Sequence, residues 1–137
     1  MRRSIAVLGC IISMMACSSS AATEAVDLSA DSGVYALLSM NSQPLPFTLL
    51  NSATSAILVT SDSLTLKADG TYRDVAHYQR MTNGVTDAPV IASGGTWTLS
   101  GRIAVFKADD GSSQSGTLDG SQLIFSGAGL ITQVYKK

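Results

Sequence analysis

Cysteine is absent from this 137-residue chain after position 17. Cys10 and Cys17 are the only two, so no disulfide can staple the remaining 120 or so residues and no thiolate chemistry occurs among them. Histidine is scarcer still. His77 stands alone, which excludes the zinc arrangements built from several converging His and Cys ligands. A Ser-His-Asp relay through His77 and Asp74 fails on two counts. No Gly-x-Ser-x-Gly motif is present, and an odd separation sends the two side chains to opposite faces of a strand. Asp109-Asp110-Gly111-Ser112 lacks the spaced carboxylates of a calcium loop and reads as a hairpin turn. These absences point to a protein that is not an enzyme and holds neither metal nor cofactor.

Positive charge is also thin. The chain has nine Lys and Arg against ten Asp and Glu, and two of the nine are Arg2 and Arg3. Beyond that basic start, seven cations face ten anions, a net of −3. Lys67, Arg73, Arg80, Arg102 and Lys107 are scattered, and only Lys136-Lys137 are adjacent, so the basic face of a nucleic-acid binder is not there.

What is present begins with an address. Met1-Arg2-Arg3 precedes an uncharged run from Ile5 to Ala16, too short for a comfortable membrane span and laid out like a secretory signal. Met14-Met15-Ala16-Cys17-Ser18 resembles the lipobox of bacterial lipoproteins, with Ala16 fitting the pattern and Met14 in place of the usual Leu. The resemblance implies cleavage before Cys17 and lipidation of its sulfur. Val7-Leu8-Gly9-Cys10 matches by letters but leaves too short an apolar core before it. Ser18 after the cysteine, in place of Asp, points to the outer membrane, with the domain facing the periplasm. The alternative is plain secretion after cleavage near Ser20-Ala21-Ala22. Acyl chains contribute ~0.8 kcal/mol per buried CH₂, so several would anchor the chain to a membrane effectively permanently. The expected organisation is a signal peptide over 1–16, a lipidated Cys17 and flexible tether over 17–32, and one domain over 33–137. As a Ser- and Ala-rich coil, Ser18 to Asp31 would reach roughly 20 Å, at ~5–6 Å × √n.

From Gly33 onward, short β-rich runs alternate with turn signals. Gly33–Met40 is a first strand, interrupted by Pro44 and Pro46, neither of which can donate to a ladder. Ser55–Thr60 and Ser63–Lys67 form one bent strand or two. Asp69-Gly70, Ser100-Gly101, Asp109-Asp110-Gly111 and Asp119-Gly120 mark tight hairpins. Thr71–Arg80, Gly95–Leu99, Arg102–Lys107, Ser113–Leu118, Ser121–Phe125 and Leu130–Tyr135 are the remaining strands, with the longest loop over Thr82–Ser93. No convincing helix appears. The pattern predicts an all-β domain, a single antiparallel meander of about eight strands. Closing it into a small barrel hides both edges, and a two-sheet β-sandwich is the runner-up.

With Gly33-Val34-Tyr35 standing where lipocalins carry Gly-x-Trp, and Asn41–Pro46 following that strand, the domain resembles the small lipocalin-like barrels of bacterial envelope lipoproteins. Tyr35 in place of tryptophan and the missing C-terminal helix are departures. The resemblance implies a fold, with binding of a small apolar ligand as its corollary. A protein-interaction or structural module of the envelope, with a filled barrel and an envelope protein as partner, is the rival.

The strand from Thr71 carries the most informative pattern. One face holds Tyr72, Asp74, Ala76, Tyr78 and Arg80, and the other holds Arg73, Val75, His77 and Gln79. Turned inward, Tyr72, Asp74, Tyr78 and Arg80 would give a few polar groups in an aromatic wall, the composition of a ligand pocket. Asn83-Gly84 and the long loop favour the other arrangement, a ribbon protruding past the barrel with solvent on both sides. Trp97 and Leu99 share a face of a half-buried strand, which makes Trp97 a core anchor.

Overall fold

The computed structural model describes residues 26–137, so the signal segment, Cys17 and the first part of the tether lie outside the described residues. Eleven strands succeed one another: β1 (Gly33–Met40), β2 (Gln43–Pro44), β3 (Phe47–Asn51), β4 (Ser55–Leu66), β5 (Thr71–Thr82), β6 (Val85–Asp87), β7 (Val90–Ser100), β8 (Ile103–Ala108), β9 (Ser113–Asp119), β10 (Gln122–Phe125) and β11 (Gln133–Lys136). No helix occurs among the described residues.

Eight of these strands close into an antiparallel barrel in chain order: β1, β4, β5, β7, β8, β9, β10 and β11. The seam is β1, whose first half pairs with β4 and whose second half pairs with β11. Closure leaves no second sheet, so the fold is the expected barrel and not the sandwich. The short β2, β3 and β6 lie against β1, β4 and β5 respectively, outside the ring.

Two irregularities decide which residues face inward. In β1 the ladder slips between Leu37 and Ser39, so Tyr35, Leu37 and Met40 all point into the core. In β4 it slips between Val59 and Ser61, making Thr60 an extra residue whose hydroxyl donates to the His77 carbonyl at 3.0 Å. Such a bulge reverses the alternation. Val59 lies inward before it, and Leu64 and Leu66 lie inward after it. The two segments foreseen around Ser61-Asp62 are thus one strand, bent at this point.

The long loop expected over Thr82–Ser93 is not a loop. Asn83 and Gly84, both with positive φ, form a tight turn into β6, and β7 already begins at Val90. Beyond Tyr78, β5 stands clear of the ring. Its residues from Gln79 to Thr82 are exposed on both faces, and Val85 of β6 is 71% exposed.

One end of the barrel is packed solid. Trp97 (1% exposed), Tyr35, Leu66 and Leu123 are its largest fully buried side chains. The indole Nε1–H donates to the Lys67 carbonyl at 3.0 Å and the Tyr35 hydroxyl donates to the Asp31 carbonyl at 2.7 Å, so each aromatic residue buries its polar atom satisfied. The segment before β1 is fixed here too. Leu28 packs against the core, and Lys137 Nζ donates to the Ala30 carbonyl at 3.1 Å. Leu28 and Ala30, in the stretch expected to act as tether, are thus in contact with the barrel. Small residues set the bore: Ala104 is fully buried, and a Cβ on Gly116 would lie 3.0 Å from both Leu123 Cδ1 and Phe125 Cδ1. Glycine there lets two large side chains cross the interior.

Candidate ligand-binding site

From the packed end, aromatic rings run in contact toward the other. Trp97 stacks on Phe106 (ring centroids 6.4 Å apart), Phe106 meets Phe125 at 5.3 Å, and Phe125 meets Tyr135 edge-on at 5.7 Å. Tyr72 adds a second edge contact to Phe106 at 5.3 Å. Past these rings the interior is hollow, with a cavity of about 280 Å³. That is near the lower edge of the ~300–1,000 Å³ usual for small-molecule sites.

Polar groups reach this cavity from several strands. Ser93 comes from β7, Gln114 from β9, Gln133 from β11, and Asp110 and Ser112 from the β8–β9 hairpin. Asp74 comes from β5 and Asp62 from β4. The Thr60 bulge puts Asp62 on the inward face, and the small Ala76 directly opposite leaves room for its side chain. Asp74 is the diagonal neighbour of Asp62, since it stands two residues from Ala76 on the same face.

The two carboxyls share one environment. Asp62 Oδ2 accepts a hydrogen bond from the Tyr135 hydroxyl at 2.8 Å. The other oxygens, Asp62 Oδ1 and Asp74 Oδ1, are buried without a partner. Burial first, then the hydrogen bond and the charge of Asp62, push the Asp74 carboxyl up to about 8. Asp74 is thus held in its protonated form well above the usual carboxylate range. The surrounding phenols respond in the expected direction. Tyr135 is raised by burial and then by Asp62, Tyr78 by burial and then by Asp62 and Asp74, and Tyr72 by burial and then by Asp74, Asp109 and Asp110. Among the described residues no Lys or Arg lines the cavity.

Of the four residues singled out in the sequence, the structure brings Tyr72, Asp74 and Tyr78 to the cavity wall and leaves Arg80 out. Arg80 shares their face of β5, but by that point the strand has left the barrel, and its guanidinium pairs with Asp87 of β6 in solvent. The inward-facing strand and the protruding ribbon are thus successive parts of one element. Asp62 and Tyr135 are site residues that sequence reasoning missed. For Asp62 a signal existed. Leu64 and Leu66 alternate with Ser63 and Thr65, which puts Asp62 on their face, although the unbroken apolar run Ala56–Val59 hides the bulge itself. His77 is exposed on the outer face. Among the described residues no group of three or more His, Cys, Asp or Glu is placed to hold a metal ion.

No protein-family model matches the chain, and neither the curated proteins nor the solved structures offer a significant match.

Proposed function

We propose that this is a non-enzymatic binding protein of the bacterial cell envelope, exported, lipid-anchored through Cys17 and lipocalin-like in taking a small molecule into its barrel. The observation that carries the binding reading is the uneven interior: one end is filled by Trp97, Tyr35 and Leu66, and the other holds a cavity lined by aromatic and polar side chains. A barrel serving only as a structural or protein-interaction module has no use for a hollow end, because unfilled volume forfeits packing energy. The wall is more polar than the purely apolar ligand of the lipocalin resemblance would ask, so the ligand has both an aromatic or aliphatic body and polar groups.

Filling the cavity tests this reading. Ala108 lines the wall at the end of β8, and Ala108→Trp is expected to occupy the space without disturbing the packed end. In a thermal-shift screen of small molecules, the compounds that raise the melting temperature of the native chain should lose that effect on the variant. Compounds that stabilise both equally would place binding outside the barrel. The anchoring half of the proposal rests on Met14-Met15-Ala16-Cys17 alone. Mass spectrometry of the mature N-terminus should find acylated Cys17, and an unmodified chain starting near Thr23 would replace anchoring with secretion.

A further inference from the structure

We infer that the hollow end of the barrel binds a small organic cation, an ammonium on an aromatic or aliphatic body, whose N–H groups donate to the Asp62 and Asp74 carboxyls. The inference rests on the small-molecule reading above and names the ligand's chemical class.

Two carboxyls on neighbouring inward positions each keep a buried oxygen without a partner among the described residues, and the Tyr135 hydroxyl is the side-chain donor the pair receives. A primary ammonium offers three donors and a full positive charge in the same place. The rest of the wall suits it. Tyr72, Tyr78 and Tyr135 turn π-faces or edges toward the space, and a cation near such rings is attracted to their faces. No Lys or Arg of the wall competes for the carboxylates, and Asp110 at the rim adds negative charge. A bare divalent ion fits less well. Calcium takes about six to eight oxygen ligands, and the described residues gather no group of three or more potential ligands. A neutral or anionic ligand offers the two carboxyls no compensating charge.

The exchange balances. The Asp74 carboxylic acid releases its proton to solvent, the ammonium keeps its own protons, and its N–H groups donate to the two carboxylates. Binding should therefore tighten as pH rises toward the value at which Asp74 ionises unaided. The titratable groups around Asp74 are Asp62 from β4, Tyr135 from β11 and Tyr78 from β5 itself, and Tyr72 and Asp110 share the cavity wall. The phenols stay protonated throughout, and alkylammonium groups titrate only near ~10.4, so Asp74 governs the range in between.

Calorimetric titration of the full chain with phenethylamine, phenethyl alcohol and phenylacetate compares cation, neutral and anion on one body. The amine should bind at least about tenfold tighter than the alcohol, and the acid should not bind. Below the raised value for Asp74 the amine's affinity should fall about tenfold per pH unit, as proton competition requires. Asp74→Asn preserves the shape and the donated hydrogen bond of the protonated acid, so it should fold, as circular dichroism will show. It should also flatten the pH dependence and remove most of the amine's advantage. Equal affinity for amine and alcohol would overturn the cation assignment while leaving the small-molecule reading intact. Calcium displacing the amine would overturn it in favour of a metal site. Failure of all three probes would overturn it as well, and the Ala108→Trp comparison then decides separately whether the small-molecule reading falls too.

Discussion

The two ends of this barrel are built from the same strands with opposite priorities. At the packed end Trp97, Tyr35 and Leu66 are fully buried, and the polar atoms of Trp97 and Tyr35 are satisfied by backbone carbonyls. At the hollow end Asp62 and Asp74 keep buried oxygens that no group among the described residues satisfies, and burial pushes the Asp74 carboxyl up to about 8. The first arrangement maximises stability, and the second gives some of it up. Small domains have little to give, since total stability is ~5–15 kcal/mol. A cost placed at one end and offset at the other points to selection for what the hollow end does.

The largest test of this contrast lies at the packed end. Trp97→Ala removes the central plug and its bond to Lys67, and should cost about 3–5 kcal/mol in chemical denaturation. As the only tryptophan, Trp97 should emit blue-shifted fluorescence in the native chain, unmoved by amines added at the other end. A red-shifted emission, or a cost below about 1 kcal/mol, would mean that this end is not the stabilising one.

The hollow end should respond through pH. The Asp74 carboxyl is raised from 3.8 to about 8 on folding, so the native state holds a proton that the unfolded chain has lost across that interval. The stability this contributes is complete below the unfolded value and is lost as pH rises through the folded one. Asp74→Asn should therefore gain on the native chain as pH climbs from acid toward about 8, with the difference levelling off above it. A difference independent of pH would show that Asp74 is solvated and the hollow end unstrained. The smallest effect belongs to the ribbon, which joins neither end. The Arg80–Asp87 pair is exposed, and Arg80→Ala should leave the melting temperature unchanged and the Ala108→Trp-sensitive ligand effects intact.

Much of this architecture was legible in the sequence because hairpin turns and period-two alternation are local signals. Asp69-Gly70, Ser100-Gly101 and Asp119-Gly120 punctuate the chain where the structure turns, and the antiparallel order results from them. Trp97 and Leu99 sit on the inward face as their spacing suggested. The site was legible only in part, because a cavity is made by residues distant in the chain. Tyr72, Asp74 and Tyr78 announce themselves on one strand, whereas Tyr135 joins Asp62 only when β11 closes on β1. Arg80 misled because strict alternation says which face a residue shares and nothing about where the barrel stops. β3 was missed outright. Its residues Phe47–Asn51 are mostly exposed and pair at the outside of β4, so they lack the pattern that burial imposes.

The docking of Leu28 and Ala30 at the packed end gives the molecule a direction. The chain leaves the barrel toward its N-terminus beside Gly70 and Lys137, the side opposite the cavity mouth. Leu28 and Ala30 thus approach the barrel away from the residues that line the cavity, so occupation of the mouth leaves their contacts untouched.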